Sequence, residues 1–260
     1  MSKLQVSGLS KYFYGRGAEI RQVLDRIEVC IEDGEFVCIV GASGCGKTTF
    51  IRCVGGLLRA EEGEIRIDGT PVVGPGPDRG FVFQNDSLFP WRTVMHNVLF
   101  GLEVRHRPLR DSRLVGERLL KLVGLSGFEN HYPSELSGGM RQRVNLARAL
   151  AVDPDILLMD EPFASLDAQT REIMQRELLK IWSQQRKTVL FITHQIDEAI
   201  YLADRVLVFS YRPGRLSADI RIPFPRPREL ALKREPEFLR YVDKVWGLIE
   251  EEVVSAMQAG

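Results

Sequence analysis

The sequence predicts an α/β fold with a mainly parallel sheet, into which a helical region is inserted. Short apolar runs typical of buried parallel strands occur at residues 35–40, 156–159 and 188–193. Apolar residues at helical spacing follow the last two runs, at residues 173–182 and 196–202. This alternation of strands and helices is typical of an α/β core. A chain of 260 residues can form one large domain or two small ones.

The first half of the chain contains further strands and then the inserted helices. Residues 4–40 read as strands joined by turns, with a turn signal at Asp33-Gly34. Strand-like alternation returns at residues 64–69, and residues 80–84 read as another strand that ends in a polar residue. From about Thr93 to Leu150 the spacing of apolar residues becomes helical. We therefore expect a helical region between two halves of the α/β core.

The last forty residues form a separate tail in this interpretation. Arg221 to Arg228 holds three prolines, which predicts a stiff extended linker. The final helix has one apolar face, made by Phe238, Val242, Val245, Ile249 and Val253. Its other side carries Glu250 to Glu252, so we expect it to pack on the protein rather than on a membrane. The predicted division is a main domain at residues 1–220, with the helical region at about 90–150, and a tail at residues 221–260.

Composition excludes several function classes. Lys plus Arg total 35 and Asp plus Glu total 35, so no net charge attracts nucleic acid or an anionic membrane. No secretory signal opens the chain, and no apolar run approaches the roughly 18 residues that span a bilayer. We expect a soluble protein that reaches a membrane only through a partner. The four cysteines lack metal-ligand spacing and are expected to be reduced thiols.

The most informative motif is a glycine-rich loop between a strand and a helix. Its pattern, G-x-x-x-x-G-K-[ST], is typical of loops that hold phosphates, and its residues are Gly41, Ala42, Ser43, Gly44, Cys45, Gly46, Lys47 and Thr48. Backbone N–H groups converge there on phosphate oxygens, and the helix N-terminus adds roughly half a positive charge. Lys47 is expected to reach the β- and γ-phosphates, and the Thr48 hydroxyl to bind Mg²⁺.

Cys45 leaves two alternatives open. Its place in a loop that attracts negative charge favours a thiolate. It could equally be an inert small residue.

Two carboxylates end one of the apolar strands. Asp160 and Glu161 follow Ile156–Met159, and the carboxyl ends of parallel strands are where open α/β sheets bind ligands. Asp160 suits Mg²⁺, directly or through water, while Glu161 could orient or deprotonate an attacking water. Without the phosphate loop, a solvated acidic strand end would be the better interpretation.

A second candidate phosphate-binding turn is Ser137-Gly138-Gly139. Ser137 is a good N-cap, and the glycines expose backbone N–H groups. One chain needs a single cradle for the γ-phosphate, so a second cradle indicates ATP bound between two copies. By itself the turn would predict only a capped helix.

In their order and spacing these residues resemble the ABC-type ATPases over nearly the whole chain. The resemblance implies a P-loop NTPase (RecA-like) core, an N-terminal antiparallel β-subdomain and an inserted α-helical subdomain. Leu136–Met140 is similar to the family's LSGGQ signature, with Met140 in place of Gln. The remaining implied site residues are the adenine-stacking Phe13 (with Tyr12 as the alternative), the loop residue Thr49, the Mg²⁺- and water-sensing Gln84, the interface residue Asp167 and the γ-phosphate-contacting His194. Implied cofactors are ATP and Mg²⁺, the metal ligands being Thr48, Gln84 and Asp160.

Within the family the chain resembles the importers of the nitrate/sulfonate/taurine branch. The resemblance lies in Gly74–Gly80, Phe83–Asn85, Leu88–Trp91 and the tail from Ile222 to Arg228. It implies ATP hydrolysis at a dimer interface that drives uptake of a small anionic solute. Implied partners are a second nucleotide-binding subunit, a membrane permease docking near Gln84 and Phe89–Trp91, and indirectly an extracytoplasmic solute-binding protein. The implied location is the cytoplasmic face of the cell membrane.

Two other functions and another position for Trp91 are alternatives to this interpretation. A P-loop phosphotransferase shares the Gly41–Thr48 loop but has no use for Ser137–Gly139, Asp167 and His194 in this order. A non-transport ATPase acting on a soluble partner would use all of them. Trp91, assigned above to docking, could instead be buried inside the helical region.

Overall fold

The computed structural model describes residues 2–15, 20–85 and 87–258. These form two compact units, described separately below. The core unit comprises residues 1–76 and 186–260, and the inserted unit comprises residues 77–185. Among the described residues, each helix is too short or too polar to span a membrane.

The core unit contains two sheets. Its elements are β1 (Ser2–Tyr14), β2 (Ile20–Glu32), β3 (Phe36–Gly41), α1 (Lys47–Val54), β4 (Glu62–Ile67), β5 (Thr70–Pro71), β8 (Thr188–Ile192), α6 (Ile196–Leu202), β9 (Arg205–Phe209), β10 (Leu216–Arg221) and α7 (Pro236–Gln258). The inserted unit supplies the elements that lie between β5 and β8 in the chain.

The N-terminal sheet of the core unit is antiparallel, with the strand order β2-β1-β4-β5. Val6 pairs with Val29 on one side and with Ile65 on the other. All three side chains are buried, because alternate residues of a half-buried strand face the interior. The predicted antiparallel β-subdomain is confirmed.

The second sheet of the core unit places β3 between two parallel neighbours, β8 and β9, with β10 antiparallel at the edge of β9. All six residues of β3 are buried, as expected for a central strand covered on both faces. This burial fixes the end of β3, from which the glycine-rich loop leaves toward α1.

The inserted unit is mainly helical. Its elements are β6 (Arg79–Val82), α2 (Val94–Val104), α3 (Leu109–Leu122), α4 (Gly138–Ala151), β7 (Ile156–Asp160) and α5 (Ala168–Gln185). β6 and β7 are parallel, with Phe81 opposite Leu158. A Cβ atom on Gly80 would lie 2.9 Å from the carbonyl oxygen of Ala149, so this glycine lets α4 approach β6 closely. The predicted helical region is present as three helices between residues 94 and 151.

The proline-containing segment of the tail is extended but packs on the core unit. Ile222, Phe224 and Arg228 are buried. The ring of Phe224 lies 5.8 Å from the ring of Phe238 and 5.4 Å from that of Tyr241, both on α7. Phe238 and Val245 of α7 are also buried, as the predicted apolar face requires. The segment is therefore a strap rather than a free spacer.

Candidate functional site

The glycine-rich loop has a shape that only glycine permits at two of its positions. Gly41 has φ of 150° and Gly46 has φ of 104°, in the region that side chains disfavour. A Cβ atom on Gly41 would lie 2.7 Å from the carbonyl oxygen of Phe209, and one on Gly46 would lie 2.7 Å from Cδ2 of Leu24. Both backbone conformation and packing within the core unit therefore select glycine.

Lys47 places a positive charge inside this loop. Its side chain is 4% exposed, and Nζ donates to the carbonyl oxygens of Gly41 at 2.8 Å and Ala42 at 2.9 Å. A buried ammonium needs such partners, and a phosphate oxygen would be a stronger one because it carries charge. Together with the start of α1 at Lys47, the loop fits a bound phosphate.

The structure decides between the two alternatives for Cys45. Its side chain is buried, and burial raises the pKa of the thiol even though the nearby Lys47 lowers it. The Lys47 Nζ lies 3.7 Å from Sγ. Since a raised pKa disfavours the thiolate, the structure favours the inert, enclosed side chain over the activated thiolate.

Phe13 presents an aromatic ring near the end of β1. Its side chain is 42% exposed, and the Lys11 ammonium lies 5.1 Å from the ring centroid. The alternative residue, Tyr12, is partly buried and its hydroxyl accepts a hydrogen bond from Gln22. An exposed ring beside a cation is suited to stacking on a flat heterocycle.

The inserted unit brings two predicted site residues into contact. Glu161 follows the buried Asp160 at the end of β7, and the amide Nε2 of Gln84 donates to Glu161 Oε2 at 3.3 Å. Glu161 has φ of 48°, an unusual conformation for a residue with a side chain. Such local strain is often found at functional sites. A carboxylate beside an amide can hold and deprotonate a water molecule.

The Ser137 turn begins α4. Ser137 Oγ accepts the N–H of Met140 at 3.3 Å, as an N-cap does. A Cβ atom on Gly139 would lie 2.9 Å from Cγ2 of Thr170, so packing requires this glycine. Gly138 is exposed, and within the described residues a Cβ atom there would meet only Nη2 of Arg141, at 3.8 Å. Packing inside this chain therefore leaves Gly138 unexplained.

Asp167 belongs to the same part of the inserted unit. Its carboxylate accepts the N–H of Thr170 at 3.0 Å, and the hydrogen bonds from Thr170 lower the pKa of Asp167. Thr170 thus contacts Asp167 through its backbone and faces Gly139 with its methyl group. The sequence alone did not single out Thr170, because only the fold brings residues 139 and 170 together.

The predicted site residues are distributed over both units. The core unit carries Phe13, the loop Gly41–Thr49 and the exposed His194 after β8. The inserted unit carries Gln84, the Ser137 turn, the pair Asp160 and Glu161, and Asp167.

Comparison with known proteins identifies the family. The profile of the ABC transporter family matches residues 24–164. The match runs from β2 through the phosphate loop and the Ser137 turn to the residues after Glu161. The chain belongs to the ABC transporter family.

Relatives of this ABC protein match nearly its whole length. An uncharacterized ABC transporter ATP-binding protein of Methanocaldococcus jannaschii is 49% identical over 98% of this chain and 94% of its own. The nitrate import ATP-binding protein of Synechocystis sp. is 45% identical over 95% of this chain and 94% of its own. The taurine import ATP-binding protein of Yersinia pestis is 44% identical over 96% of this chain and 98% of its own.

Solved ABC cassettes have the same fold. A dimeric cassette in a post-hydrolysis state, bound to ADP and Pi, superposes with a TM-score of 0.76 at 33% identity, covering 85% of this chain and 100% of that one. CbiO1 of Clostridium perfringens, part of the transporter complex cbiONQ, superposes with a TM-score of 0.77 at 27% identity, covering 93% and 94%. The predicted P-loop NTPase fold and the assignment as a nucleotide-binding ATPase are confirmed.

One further side chain of this ABC cassette touches the phosphate loop. Arg212 Nε donates to the carbonyl oxygen of Gly44 at 3.2 Å. Two residues later, a Cβ atom on Gly214 would lie 2.1 Å from the carbonyl oxygen of Cys45. The segment between β9 and β10 therefore supports the loop from outside. The turn dipeptide Pro213-Gly214 was the available sequence signal, but it did not indicate what the turn contacts.

Proposed function

We propose that this chain is the ATP-hydrolysing subunit of an importer and works as a dimer at the cytoplasmic face of a membrane. The observation that carries the dimer is the exposed Gly138 beside the tightly packed Gly139. A glycine that its own chain does not require is expected where another molecule approaches the backbone closely. Dimeric assembly of the related cassette with ADP and Pi supports this proposal.

In this proposal each unit is assigned its own roles in binding and hydrolysing ATP. In the core unit, Lys47 and the N–H groups of the loop from Gly41 to Thr49 hold the β- and γ-phosphates, while Phe13 stacks on adenine. His194 contacts the γ-phosphate. In the inserted unit, Glu161 accepts a proton from the attacking water, which the Gln84 amide orients.

The side chains proposed for magnesium suit it chemically, because hydroxyl, amide and carboxylate oxygens are the ligands that Mg²⁺ takes in proteins. They are Thr48, Gln84 and Asp160. When bound, Mg²⁺ neutralises charge on the β- and γ-phosphate oxygens. Asp160 is buried at the end of β7, so its carboxylate is held in a fixed position by the strand.

The second copy completes the site. Ser137 and Gly139 of one protomer bind the γ-phosphate that Lys47 of the other holds, and Asp167 lies at the same interface. Hydrolysis removes the shared phosphate, so the two copies lose the contact that joined them and separate. ATP binding thereby brings the two copies together and hydrolysis separates them, and this movement can be transmitted to a membrane partner.

A groove in the inserted unit is suited to that partner. It has a volume of about 450 Å³, and its lining includes Phe81, Phe83, Phe89 and Phe100. Trp91 is 72% exposed, with its ring 5.6 Å from that of Phe89, so it is not buried inside the helical region. Buried Asn97 fixes the segment by bonding to the backbone of Phe89, Arg92 and Thr93. An aromatic groove of this kind can anchor a short permease helix.

The proposed cargo is a small anionic solute supplied by a solute-binding protein. The nitrate and taurine import relatives support this class, since they match nearly the whole chain. The alternative of a phosphotransferase finds no support among the relatives. Purification of the chain together with an integral-membrane permease would support the importer, and purification with a soluble partner alone would contradict it.

Substitution of Glu161 tests the catalytic part of the proposal. Glu161→Gln keeps the shape but removes the base, so ATP hydrolysis should fall by about 10²–10⁴-fold while ATP binding remains. The variant should then accumulate as an ATP-bound dimer, measured by light scattering with phosphate release assayed in parallel. Glu172→Gln, an exposed acid on α5, is the matched control and should behave as wild type. Hydrolysis by Glu161→Gln at the wild-type rate would make Glu161 the wrong base, and a monomer at saturating ATP would contradict the shared site.

A further inference from the structure

A single hydroxyl group holds the backbone next to His194. Three residues, Thr193 to Gln195, connect β8 to α6. Thr193 Oγ1 accepts the N–H of Gln195 at 3.0 Å, so it binds the residue that follows the histidine. The Thr193 N–H donates to the carbonyl oxygen of Ile39 on β3, at 3.3 Å. The chain is therefore fixed on both sides of His194, whose own side chain is exposed.

The Thr193 hydroxyl is in turn oriented by a buried carboxylate. The Thr193 hydroxyl oxygen accepts the hydrogen bond from the Gln195 N–H. The hydroxyl has one proton, and it donates that proton to Glu198 Oε2 on α6. Thr193 and Glu198 are each 3% exposed. A buried carboxylate is costly unless hydrogen-bonded, and an apolar residue would pack against β3 without that cost. Packing alone therefore does not account for Glu198.

The far end of α6 is held by the strap from the tail. Arg228 is 7% exposed, and its guanidinium donates to the carbonyl oxygens of Ile200, Tyr201 and Ala203 at 3.1, 3.0 and 2.8 Å. These are the acceptors that a helix leaves without partners at its carboxyl end. Burial lowers the pKa of Arg228 to about 10, so the side chain remains a cation at neutral pH. Glu198 thus projects from a helix that is fixed at its end.

We infer that Thr193 and Glu198 are positioning residues for His194, orienting its ring for the γ-phosphate through the hydrogen bonds from Gln195 to Thr193 and from Thr193 to Glu198. The inference rests on the proposed role of His194 in hydrolysis. Both residues are buried, so the inference assigns neither of them a contact with the nucleotide. Both act by restricting the backbone from which the exposed imidazole projects, and a small misplacement of a catalytic group can cost about 10²-fold in rate.

A double-mutant cycle separates positioning from simple structural support. Thr193→Val removes the hydroxyl from a buried β-branched side chain, and kcat for ATP hydrolysis should fall about 10-fold or more while KM for ATP changes little. Thr193→Ser retains the hydroxyl and should recover most of the rate. In a His194→Ala background, Thr193→Val should change the residual rate by less than about twofold, because the group it positions is absent.

The outcomes distinguish the inference from the proposed function. If His194→Ala is impaired and Thr193→Val lowers the rate by the same factor with and without His194, the positioning role is overturned while the catalytic histidine stands. If His194→Ala hydrolyses ATP at the wild-type rate, the proposed role of His194 and this inference both fail. Should Thr193→Val fail to fold in a thermal melt, Glu198→Gln replaces it in the cycle. Its weaker acceptor should lower kcat less, and the same criterion of non-additivity applies.

Discussion

The phosphate loop and the Ser137 turn are both rich in glycine, but the protein requires those glycines for different reasons. In the loop, Gly41 and Gly46 have positive φ, and added side chains would collide with neighbours in the core unit. In the turn, Gly139 is likewise enclosed by Thr170, whereas Gly138 is exposed and has room for a side chain. Backbone conformation and packing within one chain thus account for Gly41 and Gly46 of the loop. In the turn, packing accounts for Gly139 but not for Gly138.

This difference shows which part of the site a single protomer forms in advance. The loop already holds a buried ammonium, Lys47, bonded to the carbonyl oxygens of Gly41 and Ala42. Such preorganised charge needs little rearrangement when phosphate binds. The turn has an exposed backbone, and in the proposed dimer its function depends on a second molecule. Substitutions in the loop should therefore affect the protomer itself, and substitution of Gly138 should affect only the assembled dimer.

Among the substitutions that test this comparison, removal of the Lys47 ammonium should give the largest effect. Lys47→Ala takes away a buried charged donor at the phosphates, so the hydrolysis rate should fall by about 10²–10³-fold. Nucleotide affinity, measured by fluorescence titration of the isolated protomer, should fall as well. Lys121→Ala, at an exposed position on α3, is the control and should leave both quantities unchanged. Hydrolysis by Lys47→Ala at the wild-type rate would contradict the assignment of the loop to the ATP site.

A pair of glycine substitutions tests the comparison directly. Gly46→Ala should destabilise the protein by about 1–3 kcal/mol, because alanine must adopt positive φ beside Leu24. Gly138→Ala should change the free energy of unfolding by no more than about 0.5 kcal/mol, since the new methyl group has room. It should nevertheless lower ATP-driven dimerisation and hydrolysis by about 10-fold, because in the proposed dimer the methyl group would lie where the partner's phosphate approaches.

Urea unfolding and light scattering would measure these two glycine variants. Equal destabilisation of both would show that Gly138 is required by its own chain. Hydrolysis and dimerisation of Gly138→Ala at wild-type levels would show that nothing approaches the turn.

The structural setting of the phosphate loop and of β7 could be predicted because their signals are local. A strand, a glycine-rich turn and a helix start are contiguous from Phe36 to Val54, and Asp160 ends its own apolar strand. Arg212 could not be predicted, because it meets Gly44 across 168 positions of sequence. The same limit applies to the strap. Its prolines predict extension, but the carbonyl groups that Arg228 binds belong to a helix 25 to 28 positions earlier.

Cys45 shows where a local signal misleads. The sequence places it at a helix N-terminus beside Lys47, two features that lower the pKa of a thiol. In the folded loop Cys45 is enclosed, and burial has the larger influence and raises the pKa. The deciding factor is the packing of the whole core unit around the loop, which the motif does not contain.

Alkylation should therefore distinguish the buried Cys45 from the exposed Cys30. Of the changes predicted here, this one should alter the rate of ATP hydrolysis least. At pH 7, iodoacetamide should label Cys30 first and leave Cys45 unmodified, so ATP hydrolysis should stay within about twofold of the untreated rate. Because the pKa of Cys45 is raised, its thiolate fraction and its labelling should increase only as the pH becomes alkaline. Mass spectrometry of tryptic peptides locates the label, and Cys30→Ser is the control that should prevent the early modification. Rapid labelling of Cys45 at pH 7 that ATP blocks would mean that the loop opens enough to expose the thiol. The loop would then not be preformed, and its contrast with the exposed Ser137 turn would fail.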